Sequence, residues 1–246
     1  MQNYRMTVRY DGTRYNGWQK QGNTENTIQG KLETLLTRMC GSPVSVQGAG
    51  RTDAGVHAMG QVAHFHADTE MTVMEIRDYL NTYLPDDIGV TEVDIAAPRF
   101  HSRLNATMKT YVYRIARNKP SHIFDRKYVC FYEGDLNIMA MKTATLQLIG
   151  EHDFKTFCGN PRIRKSTVRT IKSIRITDTP DEITITYTGT GFLQYMVRIL
   201  TGTLIEVGEE KRNPYDMKKL LAARDRSLAG PTAPPCGLTL MEVRYD

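Results

Sequence analysis

The chain has 246 residues, a formal net charge of +5 at neutral pH, and 40% hydrophobic and 24% charged residues. These values are typical of a folded protein with a sizeable apolar core, and they exclude a fibrous, low-complexity or disordered chain. No apolar run approaches the roughly 18–20 residues that cross a bilayer, and the first residues carry no apolar signal segment. We therefore expect a soluble cytoplasmic protein with no membrane partner.

The first half of the chain predicts strand, helix, strand, strand, helix, strand in that order. Alternating apolar residues indicate the strands, and apolar residues at helical spacing indicate the helices. Asn26 or Thr27 can cap the first helix and Gly41 ends it, while Thr72 with Glu75 has the spacing of a capping box. The predicted strands span about 5–10, 44–46, 62–67 and 88–95, and the predicted helices span about 28–39 and 73–84.

The second half predicts the same kinds of element with longer insertions. Strands are predicted near 108–116, 169–177, 182–188 and 238–245, and helices near 137–149, near 194–207 and from Pro214 after the cap Asn213. This order is that of a ferredoxin-like fold. We therefore expect an α+β protein of two βαββαβ halves, residues 1–104 and 105–246. The halves are expected to join into one extended, mainly antiparallel sheet with helices on one face.

Charge is distributed unevenly along the chain. Residues 66–96 hold eight acidic residues against one arginine, whereas residues 155–175 hold seven Lys or Arg residues and no acid. Residues 101–130 hold seven more basic residues, opposed by Asp125 alone. Each run by itself is compatible with a solvated face, but two basic runs beside an acidic one favour a positive surface suited to a phosphate backbone.

Four cysteines are scattered along the chain, and no two have the spacing of a CxxC pair. They are Cys40, Cys130, Cys158 and Cys236. In a reducing compartment such cysteines usually pack as small apolar residues. We therefore exclude a disulfide framework and a cysteine-based zinc site.

A glycine-rich segment, residues 48–58, is the strongest candidate for a site. Three glycines within eight residues let the backbone turn sharply and approach a ligand closely. The segment presents the carboxylate of Asp53 two residues after the guanidinium of Arg51, and it lacks the Gly-Lys-Ser/Thr ending of a phosphate-binding P-loop. From composition alone, a surface turn in which Asp53 bonds its own backbone is an equally good interpretation.

Residues 50–58, GRTDAGVHA, resemble the signature of the TruA family of tRNA pseudouridine synthases, which act on the anticodon arm. Six further segments resemble family motifs in the same order. They are YDG with YNGWQ at 10–19, QVAHF at 61–65, NTYLP at 81–85, FHSR with KTYVY at 100–113, GF with MVR at 191–198, and GL at 237–238. The resemblance covers nearly the whole chain. It departs at Gln194 and Tyr195, where many members carry two histidines, and we assign these residues no role.

The resemblance implies a reaction without cofactor or metal. Conversion of uridine to pseudouridine breaks the N1–C1′ bond, turns the base and forms a C5–C1′ bond, so nothing is oxidised or hydrolysed. The resemblance makes Asp53 the catalytic carboxylate, acting as nucleophile or as electrostatic partner to the sugar. Attack at C1′, addition to the base and a glycal route all remain open.

The resemblance also implies substrate-binding roles for four residues. Arg198 would pair with Asp53 and hold the pKa of its carboxyl down, although a helix-surface cation is the simpler interpretation. Tyr111 would stack on the uracil, whereas its pattern alone indicates a core tyrosine. Arg51 would take the space of the flipped base or contact its phosphate, and Leu238 would be an apolar wall of the pocket or a core residue.

The partner that the resemblance implies is the anticodon stem-loop of tRNA, modified at positions 38, 39 and 40. Affinity for its phosphates should come from Lys and Arg side chains and fall steeply with salt. The candidate RNA-binding residues are Arg14, Lys20, Arg162, Arg164, Lys165 and Arg169. Members of the family form homodimers whose subunits share one tRNA, and we expect a homodimer with an RNA-binding cleft between the two halves of the chain.

Two other functions remain open from the sequence. A non-catalytic RNA-binding protein with RRM-like sheets would explain the basic segments, but not the aspartate loop or Arg198. A metal-dependent nuclease or phosphoesterase would use Asp53 with His64, which shares a strand face with His66, and would lose activity on chelation. Trp18 can stack on a base, although a sole tryptophan is more often part of the core.

Overall fold

A computed structural model describes residues 1–246, which form ten β-strands and five α-helices. The strands are β1 (Gln2–Tyr10), β2 (Val46–Gly48), β3 (His57–Ala67), β4 (Ile88–Ile95), β5 (Ala106–Ala116), β6 (Cys130–Phe131), β7 (Gly150–Asp153), β8 (Val168–Asp178), β9 (Glu182–Gly189) and β10 (Leu238–Tyr245). The helices are α1 (Ile28–Cys40), α2 (Val73–Tyr83), α3 (Ile138–Leu146), α4 (Met196–Gly208) and α5 (Met217–Ala223). The α+β class with mainly antiparallel strand pairing is confirmed. None of the helices has both the length and the apolarity needed to cross a membrane.

The chain divides into two compact units. The first unit comprises residues 1–107 together with 239–246, and the second comprises residues 108–238. The last strand, which the sequence placed with the second half, lies almost entirely in the first unit. It does so because the first residues of β10 pair in parallel with the start of β3.

In the first unit, β1 and β3 are the two inner strands, and β1 has a partner on both sides along most of its length. It pairs antiparallel with β3 on one side and with β4 on the other. β2 pairs antiparallel with the second half of β3, so the order is β4-β1-β3-β2. The side chains of Tyr4, Met6 and Val8 on β1 are buried, as the alternation in the sequence predicts. The predicted βαββαβ order of this half is confirmed.

The two helices of the first unit begin and end at the predicted local signals. α1 follows Thr27, whose hydroxyl accepts the Gly30 N–H, and is followed by Gly41 in the left-handed conformation. α2 follows a capping box in which Thr72 and Glu75 each accept from the other's backbone N–H. These signals act within one turn of chain, and they are therefore readable from the sequence.

In the second unit, β5, β9, β8 and β7 pair antiparallel in that order, and β6 adds a short parallel pairing to β5. α4 is buried along most of its length. α3 begins after Asn137, which caps it, and ends three residues before the predicted Ile149, because the Gln147 N–H closes a tight last turn on Ala144 and Thr145. Asn213 caps a short 3₁₀ turn, and α5 starts only after it.

The segment that follows β1 packs directly against the loop between β2 and β3. The Trp18 N–H donates to the Thr52 carbonyl, and the Gly55 N–H donates to the Tyr15 carbonyl. Gly12 lies so close to this loop that a Cβ on it would stand 2.0 Å from the Val56 oxygen. The sole tryptophan is 2% exposed, so it is part of the core and is not available to stack on a base.

The substitution Gly12→Ala tests this packing. We expect it to lower the free energy of unfolding by about 1–3 kcal/mol, because the added methyl must displace backbone rather than a flexible side chain. Gly22→Ala is the matched control, since a Cβ at Gly22 meets nothing within 4 Å, and we expect a change within about 0.5 kcal/mol. Urea denaturation measures both, and equal stability of the two variants would contradict the close packing.

Candidate active site

The aspartate loop is the connection between β2 and β3, and Asp53 lies in its middle. The residue before Asp53, Thr52, is buried, and its hydroxyl lies 2.8 Å from the Tyr10 hydroxyl. The Val56 N–H donates to the Asp53 carbonyl and closes a tight turn. Asp53 itself is partly exposed. The loop therefore presents one carboxylate on a backbone that is fixed on both sides.

Arg51 occupies the outer side of the same loop. Its side chain is exposed, while the backbone beside it is held by the buried Gln61, whose amide donates to the Gly50 carbonyl at 2.8 Å. The structure thus keeps an exposed cation two residues from Asp53, on a backbone that is held in place.

Tyr111 lies on β5 in the second unit, opposite Tyr187 of β9. It is 7% exposed, and its ring meets the edge of Phe192 at a centroid distance of 5.2 Å and an angle of 84°. Phe192 comes from the Gly-Phe pair that precedes α4. Tyr111 therefore has the burial that its strand pattern predicts, and the aromatic contact with Phe192 restricts its ring.

Arg198 lies in the first turn of α4 and is partly buried. Its Nε donates to the Ala233 carbonyl at 2.7 Å, and the Ala233 N–H donates back to the Arg198 carbonyl at 3.1 Å. These two hydrogen bonds fix the side chain and the backbone of Arg198 to the same residue. Arg198 is therefore an anchored cation, unlike a flexible arginine on a helix surface.

Tyr195, to which the sequence assigned no role, supports Arg198 directly. The guanidinium carbon of Arg198 lies 5.2 Å from the centre of the Tyr195 ring, which is cation–π distance. Tyr195 has φ of 60°, a conformation that non-glycine residues seldom adopt. Gly159 makes room for the ring, since a Cβ there would stand 2.2 Å from it, and its N–H donates to the Gln194 carbonyl. The i, i+3 spacing of an aromatic residue and an arginine was the available signal in the sequence.

Leu238 is the last residue of the second unit and is 4% exposed. Its N–H donates to the Pro235 carbonyl, which closes the turn that leads into β10. Burial to this degree is compatible with a core leucine and with an apolar wall, so both interpretations from the sequence stand.

The six predicted RNA-binding residues fall into three groups. Arg14 is bound to Asp87 through Nε and a terminal nitrogen, and the Lys20 ammonium lies 3.1 Å from Glu33. Arg169 is half-buried and donates to backbone carbonyls of its own segment. The third group is exposed and makes no ion pair within the chain. It comprises Arg162, Arg164 and Lys165.

A surface groove of about 340 Å³ brings part of the third group together with cations that the sequence did not single out. Arg164 and Lys165 line it with Lys155 and Arg224, and Asp153 is the one acid among the lining residues. Arg224 lies 3.1 Å from that acid. Four cations against one carboxylate give the groove a net positive charge that suits a phosphate.

The histidine of the metal hypothesis, His64, is buried and hydrogen-bonded. Its Nδ1 lies 2.9 Å from the Ser102 Oγ, and its ring centre lies 4.6 Å from that of His101. Burial, with help from the charges of His101 and His66, lowers the pKa of His64 to about 4. The ring is therefore neutral at neutral pH and acts as a packed, hydrogen-bonded part of the first unit.

One group of three metal-type side chains does occur, in the second unit. His122, Asp125 and Glu182 offer ligand atoms within 4.8 Å of one another. The Arg114 guanidinium is bound to both carboxylates, which lowers the pKa of each against the effect of burial. An arginine thus supplies the positive charge of this cluster.

Comparison with known proteins identifies the family. Residues 6–103 and 144–246 match the family model described as tRNA pseudouridine synthase. The chain therefore belongs to the tRNA pseudouridine synthase family, and it is an enzyme of the class that isomerises uridine in tRNA to pseudouridine. The matched ranges contain Asp53, Arg198 and Leu238, while Tyr111 lies between them.

Relatives that cover 100% of both chains carry more specific names. The chain is 49% identical to tRNA pseudouridine synthase A of Bacillus sp. (strain KSM-64) and 47% identical to tRNA pseudouridine synthase A 1 of Clostridium tetani, each over 245 residues. It is 40% identical, over the same length, to tRNA pseudouridine synthase A 2 of Bacillus cereus. The family resemblance seen in the sequence is confirmed.

Removal of the Tyr195 ring tests its support of Arg198. We expect Tyr195→Leu to slow pseudouridine formation under single-turnover conditions by roughly fivefold or more, since a partly buried cation–π contact contributes about 1–2 kcal/mol. Tyr195→Phe keeps the ring face and should stay within about twofold of the wild type. A Tyr195→Leu enzyme as fast as Tyr195→Phe would show that the ring contact is unimportant for Arg198.

Proposed function

We propose that this enzyme converts uridine to pseudouridine at positions 38, 39 and 40 of the tRNA anticodon stem-loop, with Asp53 as the nucleophile. The observation that carries the proposal is the aspartate loop. It presents one partly exposed carboxylate on a backbone held by the Tyr15 and Trp18 segment, in a chain of the tRNA pseudouridine synthase family. A carboxylate fixed in this way is ready to act at a sugar carbon without reorganising first.

The reaction balances with the groups of the substrate and one carboxylate. The Asp53 carboxylate bonds to C1′ as the N1–C1′ bond breaks, the uracil turns, and C5 then bonds to C1′ as the bond to Asp53 breaks. C5 loses its hydrogen as a proton and N1 gains one, so the product is an isomer of the substrate. The target uridine must leave its stack before Asp53 can reach the sugar, so base flipping is part of the proposal. Arg51, exposed beside Asp53, fills the space that the base leaves or binds the adjacent phosphate.

The residues proposed to bind the uridine from the second unit are Tyr111, Arg198 and Leu238. The Tyr111 ring stacks on the uracil, and its hydroxyl assists departure of the C5 proton. Arg198 supplies a positioned positive charge to the bound nucleotide. Leu238 supplies an apolar wall. The anchoring of Arg198 by Ala233 and the contact of Tyr111 with Phe192 support these roles, because a positioned group binds with less loss of conformational entropy.

We propose further that the enzyme works in the cytoplasm as a homodimer that shares one tRNA. The exposed cations Arg162, Arg164 and Lys165 bind phosphates directly, and Lys155 and Arg224 of the groove add to them. Arg14 and Lys20 contribute after they exchange their carboxylate partners for phosphates. Arg169 contributes as part of the basic segment that also carries Arg162, Arg164 and Lys165. Neither of the other functions considered from the sequence explains the family match, and neither is favoured by a specific observation.

Tritium release from C5-labelled uridines in unmodified tRNA tests the catalytic role of Asp53. We expect steady release by the wild type in excess chelator and none above background for Asp53→Ala and Asp53→Asn, because an uncharged side chain cannot act as the nucleophile. Asp68→Ala is the matched control, an exposed aspartate of the same unit, and should leave the rate unchanged. Release by Asp53→Asn, or inhibition by the chelator, would contradict the mechanism. Mapping the modified positions tests 38, 39 and 40.

The salt dependence of tRNA binding tests the exposed cations. We expect the double variant Arg164→Ala, Lys165→Ala to bind more weakly and to lower the slope of log affinity against log salt by about 1 for each phosphate that it no longer neutralises. Lys142→Ala, an exposed lysine on α3 of the same unit, is the control and should keep the wild-type slope. A double variant with the wild-type slope would exclude these residues from the phosphate interface.

A further inference from the structure

Two cysteines that are far apart in the sequence lie together in the second unit. Cys130 is the first residue of β6, where it pairs with Ile115 of β5. Cys236 lies in the 3₁₀ turn Pro235–Gly237, which packs against β6. The side chains of the two cysteines are within hydrogen-bonding reach of each other, and both residues are partly exposed. A small oxidant can therefore reach a pair of thiols that are already neighbours.

Tyr113 holds the two cysteine-bearing segments in place. Its hydroxyl donates to the Pro234 carbonyl at 2.9 Å, and it also lies within hydrogen-bonding reach of the Cys130 thiol. The turn packs closely against the Tyr113 ring, since a Cβ on Gly237 would stand 2.8 Å from it. The ring is fully buried. Packing around Tyr113 thus keeps the two thiols near each other within the second unit.

The two thiols differ in acidity. The neighbouring Cys236 thiol lowers the pKa of Cys130 against the opposing effect of burial, and the nearby Tyr113 hydroxyl acts in the same direction. The same pairing, together with burial, raises the pKa of Cys236. Cys130 is therefore the more acidic of the two thiols, and we assign it the attack on an oxidant, with Cys236 as the thiol beside it that can resolve an oxidised sulfur.

We propose that Cys130 and Cys236 form an oxidation-sensitive dithiol that closes to a disulfide and thereby restrains the turn that anchors Arg198. The Cys130 thiolate attacks a peroxide oxygen, the O–O bond breaks, and an alcohol or water leaves with one proton. The sulfur of Cys236 then attacks the resulting sulfenic acid, the S–O bond breaks, and water leaves. Two thiols are oxidised by two electrons and one peroxide is reduced.

The link to activity rests on the proposed function of Arg198. The turn at Cys236 follows Ala233, which accepts the hydrogen bond from the Arg198 Nε. A covalent bond between this turn and β6 changes the position and the freedom of Ala233. We therefore expect the disulfide form to make pseudouridine at least threefold more slowly, and dithiothreitol to restore the rate.

The test uses the full-length enzyme treated with a small excess of hydrogen peroxide, blocked with N-ethylmaleimide and digested without reduction. We expect the Cys130 and Cys236 peptides to be joined, with Cys40 and Cys158 alkylated. In the reduced enzyme at pH 7, iodoacetamide should modify Cys130 at least tenfold faster than Cys40, whose thiol pKa is raised by burial. Cys236→Ala should slow the modification of Cys130, because it removes the hydrogen-bond donor.

Absence of the joined peptides, or joining only between two molecules, would overturn the site. A joined pair in an enzyme with an unchanged rate would overturn the link to Arg198. Cys130→Ser, treated alike, should keep its own untreated rate, and an equal loss of rate in this variant would also overturn the link. An untreated enzyme without activity would count against the proposed function, while the peptide map would still decide the dithiol.

Discussion

The hydrogen bond from the Trp18 N–H to the Thr52 carbonyl joins the two segments on which the aspartate loop depends. Together with the bonds from the Gly55 N–H to Tyr15 and from Gln61 to Gly50, it holds residues 49–56 in place. Ordering a free glycine-rich connection on substrate binding would cost about 1–2 kcal/mol for each residue. The glycines of the opening motif serve the same end. Gly17 has φ of 90°, and a Cβ there would stand 2.7 Å from the Thr52 oxygen. The opening motif at residues 10–19 and the aspartate loop therefore pack against each other and fix each other's conformation.

A comparable arrangement fixes the arginine of the second unit. Arg198 is held by Ala233, a residue of the irregular segment between α5 and β10, and by the ring of Tyr195. None of these supports is regular secondary structure. Tyr195 keeps an unfavourable backbone conformation directly before α4, with its ring packed closely against Gly159. In each unit, contacts thus restrict the conformation of a segment that carries one charged site residue, Asp53 in the first unit and Arg198 in the second.

The parts of the fold that were predictable from the sequence are those determined within a few residues. Thr27, Gly41 and the Thr72–Glu75 pair set helix ends through hydrogen bonds inside one turn, and the structure has them as predicted. β6 and β7 were not predicted, because they are short, carry no clear alternation and exist through pairing with distant strands. β10 belongs to the first unit for the same reason, because it pairs with β3 and no local signal in the sequence indicates that pairing.

The same distinction between local signals and distant contacts applies to the candidate site. The loop of Asp53 was recognisable as a motif, whereas the role of Tyr195 required its ring to be placed beside Arg198. Burial could not separate core from function at Tyr111, because a buried tyrosine in an alternating strand satisfies both.

The ion pairs within the chain indicate which basic residues are most available to bind a phosphate, and composition alone cannot show this. A phosphate that binds Arg14 must compete with Asp87, which already occupies two nitrogens of the guanidinium. A phosphate that binds Arg164 displaces only water and counterions, and release of those ions is itself a driving force. At equal exposure the unpaired cation therefore contributes more to affinity. The positive charge available to a phosphate is the charge left over after the protein has paired its own, and Arg164 and Lys165 of the groove belong to that remainder.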